Sequence, residues 1–401
     1  QGMAAGFKAP FVTDYNDPTQ GVVGTGANQD SVTPTWLGPN SFRSYSANAY
    51  LTGTDAPDAI PPTVIPPIID ENGNGLHGRK LKVIFNANVN RVLFDNHKNA
   101  EAVEFVIYHD KQVCRKAHAK KEIILCAGAT RTPNILQRSG VGDAKLLSDI
   151  GIPIVYDNPN VGQHMENHYG ALAVVSGSEG QYPPIPTVGL TFTGLSPYMP
   201  DVDERLFQIL VLGTPGYLPS GIRTCLGITS GVTIFPINIA PKSIGSVNIV
   251  SSDPFIDPQI DLNQYSDGGP NDVGSDAYKI VSFYKILKNQ VIPEYSIASG
   301  QFQDVLYPSQ EQYDAGDDAL FQAAQDTDNF FAYHQSGTAR MGKTPIDAVC
   351  DGKLKVFGVK RLRVADNSAA PVIESGNTMY QAYSIGLNAA RIILEKYNKK
   401  C

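Results

Sequence analysis

Short runs of apolar and β-branched residues, separated by turn-forming residues, predict β-strands along much of this chain. In the first 160 residues we predict strands at Leu81–Phe85, Val89–Phe94, Ala102–Tyr108, Glu122–Cys126 and Ile152–Tyr156. Further along, the runs are Phe207–Leu212, Gly231–Ile237, Ser246–Ser251, Lys353–Phe357 and Arg361–Ala365. Between about residues 165 and 330, the runs alternate with Pro/Gly turns, a pattern typical of an antiparallel sheet.

Apolar positions spaced three or four residues apart predict helices at fewer places. Asp276–Lys288 interrupts the middle strands, so we expect it to pack on their sheet. A last helix is predicted from about Thr378 to Tyr397, where four apolar positions recur every three or four residues: Tyr383, Leu387, Ala390 and Leu394. Two shorter helices are predicted at Arg43–Leu51 and Ala144–Ile150. The Gly-, Pro- and Asn-rich first forty residues predict an extended loop, and no internal repeat is found.

One strand–turn–helix motif is the most informative stretch of the sequence. The strand Glu122–Cys126 leads into small residues around Gly128, which let a backbone or ligand approach closely. We predict Thr132 as the N-cap and Pro133 as the first residue of a short helix that Gly140 ends. A helix N-terminus after a tight turn suits an anionic or nucleotide-like ligand. On shape alone, a plain connection between elements stays an alternative.

Composition excludes several classes of function. The 401 residues carry a net charge of −7, with a pI near 5.5, which argues against nucleic acid or an anionic membrane as partner. The five cysteines and seven histidines show neither CxxC nor HExxH spacing, so no metal site is predicted. No apolar run could span a bilayer, no N-glycosylation sequon occurs and no targeting signal is visible, so the compartment stays unknown.

A dinucleotide-binding fingerprint, G-x-G-x-x-G, occurs at Gly73–Gly78. The functional form needs a strand before it and a helix after it, so that the pyrophosphate meets a helix N-terminus. Here a proline-rich stretch precedes it and a basic strand follows. We therefore predict a loop without cofactor contact.

The string GATRTPNILQRSGVG, Gly128–Gly142, resembles position for position the second signature of the glucose-methanol-choline (GMC) oxidoreductases, which are flavin-dependent alcohol-oxidising enzymes. Four further segments resemble the family, in particular its aryl-alcohol oxidases. They are Phe11–Pro18, Arg43–Leu51, Asn160–His168 and Ser252–Leu262. Two motifs nearer the C-terminus resemble the family as well. The resemblance covers nearly the whole chain but only the later two-thirds of a family member. The Rossmann βαβ unit that opens the family is not matched.

The resemblance implies an α/β (α+β) fold in which part of an FAD-binding domain joins an antiparallel-sheet substrate domain with packed helices. We expect residues 1–75 to form an extended loop and short helix between the domains, and 76–160 to belong to the FAD-binding domain. Residues 161–335 would form the substrate-binding domain and 336–401 would return to the FAD-binding domain. The N-terminal Rossmann segment is then an expected partner from outside these residues.

Two C-terminal motifs carry the expected catalytic residues. Tyr333–Gly342 resembles the family segment with the catalytic histidine, which makes His334 the expected base, since imidazole titrates near neutral pH. Taken alone, a histidine among aromatic residues is more often part of a core. Asn377 suits an N-cap, and the resemblance also implies that it hydrogen-bonds the substrate oxygen. By the same resemblance, the helix that follows faces the pyrimidine edge of the flavin.

The expected cofactor is FAD, and the resemblance assigns its contacts to eight residues: Val89, Ala127, Gly128, Ala129, Asp366, Asn367, Asn377 and Thr378. Of these, Val89 and Ala127–Ala129 would lie beside the adenosine half, and Asp366 would contact the ribityl chain. A solvated Asp at a strand end is the alternative for Asp366. Glu374 stands where the family usually has an uncharged residue, and an uncompensated carboxylate there would oppose flavin reduction.

Three functions remain open at this stage. The first is FAD-dependent oxidation of a primary alcohol to an aldehyde, with His334 as base, hydride transfer to flavin N5, and O₂ or a quinone as acceptor. Phe330, Phe331 and Tyr333 weakly favour an aryl alcohol, and a core role for these rings is equally compatible. The second is cyanohydrin cleavage, as in a hydroxynitrile lyase. The third is a structural, virion-type protein that retains the fold, in a homo-oligomer or larger assembly.

Overall fold

The computed structural model describes residues 24–26, 47–56, 63–108, 110–176, 189–193, 206–212, 215–294, 304–327 and 332–397. Its contacts divide the chain into a first unit (residues 1–28, 90–103 and 117–401) and a second unit (29–89 and 104–116). Several expectations lie outside the described residues: the extended N-terminal loop apart from 24–26, the 11–18 segment, residues 43–46 of the first short helix, and Phe330 with Phe331.

The strands within the described residues are short, and most pair antiparallel. They are β1 (Gly24–Gly26), β2 (Thr54–Ala56), β3 (Thr63–Ile65), β4 (Ala87–Phe94), β5 (Ala100–Ile107), β6 (Asp110–His118), β7 (Ile123–Leu125), β8 (Val141–Gly142), β9 (Tyr156–Asp157), β10 (Tyr169–Gly170), β11 (Ala173–Val175), β12 (Gly189–Thr193), β13 (Phe207–Leu212), β14 (Val232–Asn238), β15 (Ser246–Asn248), β16 (Gln259–Asp261), β17 (Val305–Tyr307) and β18 (Leu362–Val364). The largest sheet has seven strands, with β1-β12-β13-β14-β11-β17 in order and β10 paired to β14.

The helices cluster around that sheet and at the C-terminus. Those in the described residues are α1 (Gly128–Arg138), α2 (Ala144–Asp149), α3 (Ser220–Cys225), α4 (Asp276–Ile286), α5 (Gln310–Ala315), α6 (Asp317–Asp326) and α7 (Met379–Tyr397). Shorter helical turns are Asn48–Thr52, Pro215–Tyr217, Leu287–Val291 and Asn367–Ala369. None of the described helices is long and apolar enough to cross a membrane.

Both faces of the seven-stranded sheet are covered. Alternate residues of β13 and β14, among them Phe207, Ile209 and Ile234, form one core with α4 and α6. Leu172, Phe235 and Ile237 form a second core on the opposite face. The predicted antiparallel sheet with a helix packed on it is therefore confirmed.

The register of the sheet decides which residues share each face. Gln208 pairs with Ile237, and Ile237 pairs with Gly170, so these three positions lie in one row. His168 lies two residues before Gly170, which places it on the same face because side chains alternate along an extended chain. Tyr169, between them, belongs to the opposite, helix-covered face.

On the helix-covered face, a buried carboxylate joins the sheet to α4. Asp276, at the start of α4, accepts hydrogen bonds from Tyr169 Oη at 2.5 Å, Asn238 Nδ2 at 3.0 Å and Lys279 Nζ at 3.0 Å. The side chains of Asp276 and Lys279 are 0% and 1% exposed. The three donors satisfy the Asp276 carboxylate, and their hydrogen bonds join α4 to the sheet. Removal of Asp276 or of Lys279 would leave the other as a buried charge without its partner.

The remaining elements of the first unit include the predicted strand–turn–helix motif. β7 and β18 pair in parallel, and the buried ion pair between Arg363 Nε and Glu122 at 2.9 Å joins them. α1 follows β7 after a turn with φ of +80° at Gly128. The prediction that the helix starts at Thr132–Pro133 is wrong: it starts at Gly128, with Pro133 inside it.

The apolar positions that recur along the last helix are exposed in the structure. Tyr383, Leu387 and Leu394 are 42%, 76% and 56% exposed. The side chains that α7 buries are instead Ile385 and Ala389. The buried side of the helix is narrower than the apolar face that its sequence period indicates. A stripe of large apolar residues is therefore exposed.

In the second unit, Gly73–Gly78 forms a turn closed by bridges between Ile69 and Gly75 and between Asn74 and Lys82. Asp70 Oδ1 accepts the N–H groups of Asn72 and Asn74, which fixes the turn. No helix follows, so the prediction of a loop is confirmed. The predicted strand at 81–85 is wrong, because only the bridge at Lys82 forms there.

Candidate active site

Two histidines from distant parts of the sequence face each other in the first unit. Residues 332–336 run antiparallel to 166–168: Glu166 and Ser336 exchange backbone hydrogen bonds of 3.1 and 3.0 Å. His168 and His334 each lie two residues from this bridge, so they are cross-strand neighbours. Their Nδ1 atoms are 2.9 Å apart, and the rings meet edge to face at 87°.

An amide pair extends this contact on the other side of His334. Asn377 Nδ2 lies 3.4 Å from His334 Nε2. Asn377 Oδ1 accepts a 2.8 Å hydrogen bond from Nε2 of Gln208, which β13 presents on the same sheet face as His168. We call these four residues, Gln208, Asn377, His334 and His168, the amide–imidazole chain.

Burial sets the protonation state of both imidazoles. Burial lowers the pKa of His334 to about 4, so the ring is neutral at pH 7. Burial also lowers the pKa of His168, and the neighbouring His334 lowers it further. A neutral imidazole is the form that can accept a proton.

Asn377 opens the site to solvent, because it is exposed at the residue level while its amide contacts buried Gln208. Directly after it, α7 begins at Met379, where the first N–H groups of the helix lack intrahelical partners. Glu374 and Gln381 satisfy each other here: the Glu374 carboxylate accepts the Gln381 N–H at 3.0 Å, and Gln381 Oε1 accepts the Glu374 N–H at 3.1 Å. Burial raises the pKa of Glu374, and the hydrogen bond from the Gln381 N–H acts in the opposite direction. The expected opposition of this carboxylate to flavin reduction stays a prediction.

Asp366 connects the two C-terminal motifs to the strand–turn–helix motif. Its Oδ2 accepts from the Gly128 N–H at 2.9 Å and from the Thr132 hydroxyl at 2.6 Å. Its Oδ1 accepts from the backbone N–H and the hydroxyl of Ser368 at 2.8 and 2.5 Å. These four bonds use the acceptor positions of the carboxylate. Thr132, predicted as an N-cap, instead accepts the Ala127 N–H through its hydroxyl from within the helix.

The turn at Gly128 leaves room above the backbone. A side chain at Gly128 would meet nothing within 4 Å, while Ala129 O is held by a 2.6 Å hydrogen bond from the Thr338 hydroxyl. Asn367 Nδ2 donates to Thr378 O at 3.1 Å, and Asn367 Oδ1 is buried without a partner among the described residues. The structure thus brings Ala127, Gly128, Asp366 and Asn367 together, and Asn367 links them to Thr378.

Val89 lies in β4 as part of the second unit, and its predicted flavin contact stays a prediction. Two members of the amide–imidazole chain, His168 and Gln208, were missed by sequence reasoning. His168 ends a segment that resembles the family, and a second histidine in that segment was the available signal. For Gln208, the sequence contains no signal except that it is one polar residue inside an apolar strand.

Two family models, the N- and C-terminal models of GMC oxidoreductase, match residues 74–170 and 241–386. The chain is 28% identical over 353 residues to an alcohol dehydrogenase [acceptor] of Pseudomonas putida, covering 79% of this chain and 58% of that protein. It is also 28% identical over 333 residues to an oxygen-dependent choline dehydrogenase of Cronobacter sakazakii, covering 76% and 56%. The chain thus spans somewhat over half the length of these curated relatives.

Solved structures share the fold. A pyridoxine 4-oxidase from Mesorbium loti superposes with a TM-score of 0.70 at 20% identity, covering 100% of this chain and 69% of that one. A fungal aryl-alcohol oxidase superposes with a TM-score of 0.68 at 20% identity, covering 99% and 70%. Together with the two family matches, which span more than half of its residues, these similarities establish that the chain belongs to the GMC oxidoreductase family and has its α/β fold.

Proposed function

We propose that this chain supplies the base and the substrate-side wall for FAD-dependent oxidation of a primary alcohol to an aldehyde. The observation that carries this proposal is a buried, neutral imidazole, His334, beside the amide of Asn377, a residue that is exposed to solvent. Alcohol oxidation needs a base for the hydroxyl proton and a hydrogen-bond donor for the oxygen that loses it. Both groups lie near Gln208 of β13, which hydrogen-bonds Asn377.

The proposed cofactor, FAD, fits the described residues in part. The open space beside Gly128 at the N-terminus of α1 suits a phosphate-containing group, because the first N–H groups of a helix have no intrahelical partners. The Gly128 N–H itself is already used, since it donates to Asp366. The unpartnered Asn367 Oδ1 offers one acceptor, and Thr378 lies beside it at the start of α7. Asp366 supports the proposed site mainly by holding the Gly128 turn, since its acceptor positions are used. When bound, FAD would accept the hydride from the carbinol carbon at N5.

His334 Nε2 is the proposed acceptor of the substrate hydroxyl proton, and Asn377 Nδ2 the donor to the developing alkoxide. Asn377 cannot itself act as a base, so the proton transfer depends on His334 alone. The N-terminus of α7, which begins two residues after Asn377, adds a partial positive charge that favours the developing negative charge.

The Rossmann segment predicted as a partner is part of this proposal. The curated relatives are longer than this chain, which covers 58% and 56% of the two described above. The exposed apolar residues of α7, Leu387 and Leu394, offer such a segment a surface to cover. We propose that a nucleotide-binding segment completes the flavin site there.

The proposed substrate is a primary alcohol, with an aryl alcohol to be tested first, since the exposed Tyr333 ring adjoins His334 in sequence. The proposed electron acceptor is O₂ or a quinone. Among the relatives, one is named for choline and oxygen and another for an unspecified acceptor, so both classes belong in the test.

The decisive experiment is anaerobic bleaching of the flavin. The chain is loaded with FAD, together with the Rossmann segment of a relative, and mixed with benzyl alcohol, choline or a short aliphatic alcohol. We expect bleaching that His334→Gln slows by about 10²- to 10⁴-fold. For the native protein the rate should fall as pH decreases toward 4, because protonation removes the base.

His97→Gln is the matched control, since His97 is exposed on a turn. Unchanged bleaching in His334→Gln would contradict the assignment of the base. Cyanide release without bleaching would support the lyase alternative. A large particle without either activity would support the structural one.

A further inference from the structure

We propose that the amide–imidazole chain has a fixed direction, which holds the proton of neutral His334 on Nδ1 and leaves the lone pair on Nε2. Gln208 and His168 are then positioning residues for the base. This inference rests on the proposed function for its catalytic meaning, but the direction of the chain can be measured independently of activity.

The direction follows from the donors and acceptors at each link. Gln208 Nε2 donates to Asn377 Oδ1 at 2.8 Å, which turns the Asn377 amino group toward His334. An amino group only donates, so His334 Nε2 must accept and cannot carry a proton. At 3.4 Å this link is long, as catalytic hydrogen bonds often are without substrate.

The contact between the histidines then has one consistent assignment. The two Nδ1 atoms are 2.9 Å apart, so one of them donates a hydrogen bond to the other. Neutral His334 has one ring proton, and because its Nε2 is unprotonated, that proton lies on its Nδ1. His168 Nδ1 therefore accepts, and the proton of His168 lies on Nε2. Both rings are buried and neutral at pH 7, so no additional proton upsets this count.

The reverse direction would need both amides turned over, which hydrogen-bond distances alone permit. It would also place an unprotonated His168 Nε2 in a buried position. Neutral His168 carries one ring proton in either case, so the direction follows from where the structure places the amide nitrogens and oxygens of Gln208 and Asn377. His168 Nε2 has no hydrogen-bond partner in the described part of the chain, so this atom favours neither direction and the tautomer of His334 is the test.

The chemical consequence is that the lone pair of His334 lies at the Asn377 side, where the site is exposed. A hydroxyl group that binds there finds the acceptor already in place, without a tautomer change before proton transfer. The partner on Nδ1 is a neutral imidazole and not a carboxylate. It therefore orients the ring without adding the charge stabilisation that a carboxylate gives to an imidazolium.

The direct test is the tautomer of His334 in the 401-residue chain, measured by ¹⁵N–¹H correlation spectra of histidine-labelled protein. Seven histidines make the spectrum tractable, and the loss of signals in His334→Gln assigns the ring. We expect a protonated Nδ1 and an unprotonated Nε2. A protonated Nε2 in the native chain would overturn the proposal.

Gln208→Glu is expected to reverse the direction of the hydrogen bonds in the amide–imidazole chain. The new carboxylate can only accept, so Asn377 must turn its amino group toward it and its oxygen toward His334. We expect the proton of His334 to move to Nε2 and kcat/KM for the alcohol to fall 10- to 100-fold. An unchanged tautomer in the folded variant would contradict the role of Gln208. If this buried substitution prevents folding, Gln208→Leu, which removes the donor without adding charge, is expected to give a mixture of tautomers.

His168 is tested by a pair of variants. His168→Asn keeps an acceptor at the δ position and should retain the Nδ1–H tautomer, whereas His168→Phe removes the acceptor and should lose it. Equal tautomers in both variants would contradict the role of His168. If His334 has the expected tautomer but the loaded protein oxidises no alcohol, the proposed function fails while the directed chain stands. If His334 is required for oxidation but Nε2 carries the proton, only the directed chain fails.

Discussion

The two sides of the first unit bury their apolar residues very differently. In the seven-stranded sheet, every residue of β14 is buried, and α4 and α6 cover one face while a second core covers the other. On the side of the proposed flavin site, β7 and β18 form a two-stranded parallel pair, and α7 exposes Leu387 at 76%. Parallel pairs are normally buried on both faces, so this side has unpartnered apolar surface among the described residues.

The difference indicates where each side obtains its stability. The side of the seven-stranded sheet, which is the proposed substrate side, carries a core and a buried polar network formed by residues of this chain. On the side of the proposed flavin site, the main contacts are the hydrogen bonds that Asp366 accepts and the ion pair between Arg363 and Glu122. We therefore expect mutations on the substrate side to act on folding, and those on the flavin side to act on cofactor binding.

The largest effect is expected from Asp276→Ala on the substrate side. It would leave the buried ammonium of Lys279 and the Tyr169 hydroxyl without their common acceptor. We expect the free energy of unfolding to fall by about 3–5 kcal/mol, as for other broken buried pairs, measured by urea denaturation of the whole chain. Asp257→Ala is the control, because the Asp257 side chain is 86% exposed in its pair with Arg131. Equal urea midpoints for the two variants would show that burial of the network contributes nothing.

A smaller effect on folding is expected from Asp366→Ala on the flavin side. The variant leaves the Gly128 N–H and the Thr132 hydroxyl without an acceptor, which should cost about 1–3 kcal/mol in unfolding free energy. FAD retention on dialysis should fall more strongly than stability, because the turn beneath the proposed phosphate position loosens. Asp95→Ala, in an exposed turn, is the control and should retain flavin. Normal retention in Asp366→Ala would remove Asp366 from the proposed site.

The smallest effect is expected from Leu387→Ala in α7. Its side chain is largely exposed, so the unfolding free energy should change by less than about 0.5 kcal/mol. Ile385→Ala, two residues earlier on the buried side, should cost about 2 kcal/mol or more. In the presence of the proposed Rossmann segment, Leu387→Ala should weaken binding of that segment. If Leu387→Ala destabilises the isolated chain as much as Ile385→Ala, the exposed stripe is not a free surface.

Local patterns predicted the elements of the substrate side well. β13 has the predicted bounds Phe207–Leu212, and α4 begins at Asp276 as expected, because strand alternation and helical period both reflect burial within this sheet. The period of α7 was equally clear, but its apolar residues, among them Leu387, are exposed in the structure. Periodicity identifies an apolar face without identifying what covers it.

The candidate site was predicted only where motifs name its residues. His334 and Asn377 belong to C-terminal segments that resemble the family, and the structure brings them within 3.4 Å. Gln208 joins them across 169 positions of sequence through the register of β13, which no local pattern encodes. Thr132 shows how a distant contact overrides a local preference. Threonine often caps helices, but the Thr132 hydroxyl donates to Asp366, 234 positions away in the sequence.

The link between Gly128 and Asp366 also has a consequence for biosynthesis. The two residues are 238 positions apart, so the turn at Gly128 emerges from the ribosome long before the carboxylate that fixes it. At about 5–20 residues per second, the interval is roughly 10–50 s. The proposed flavin cradle is therefore completed only after Asp366 has been synthesised, and cofactor loading is expected to follow that step.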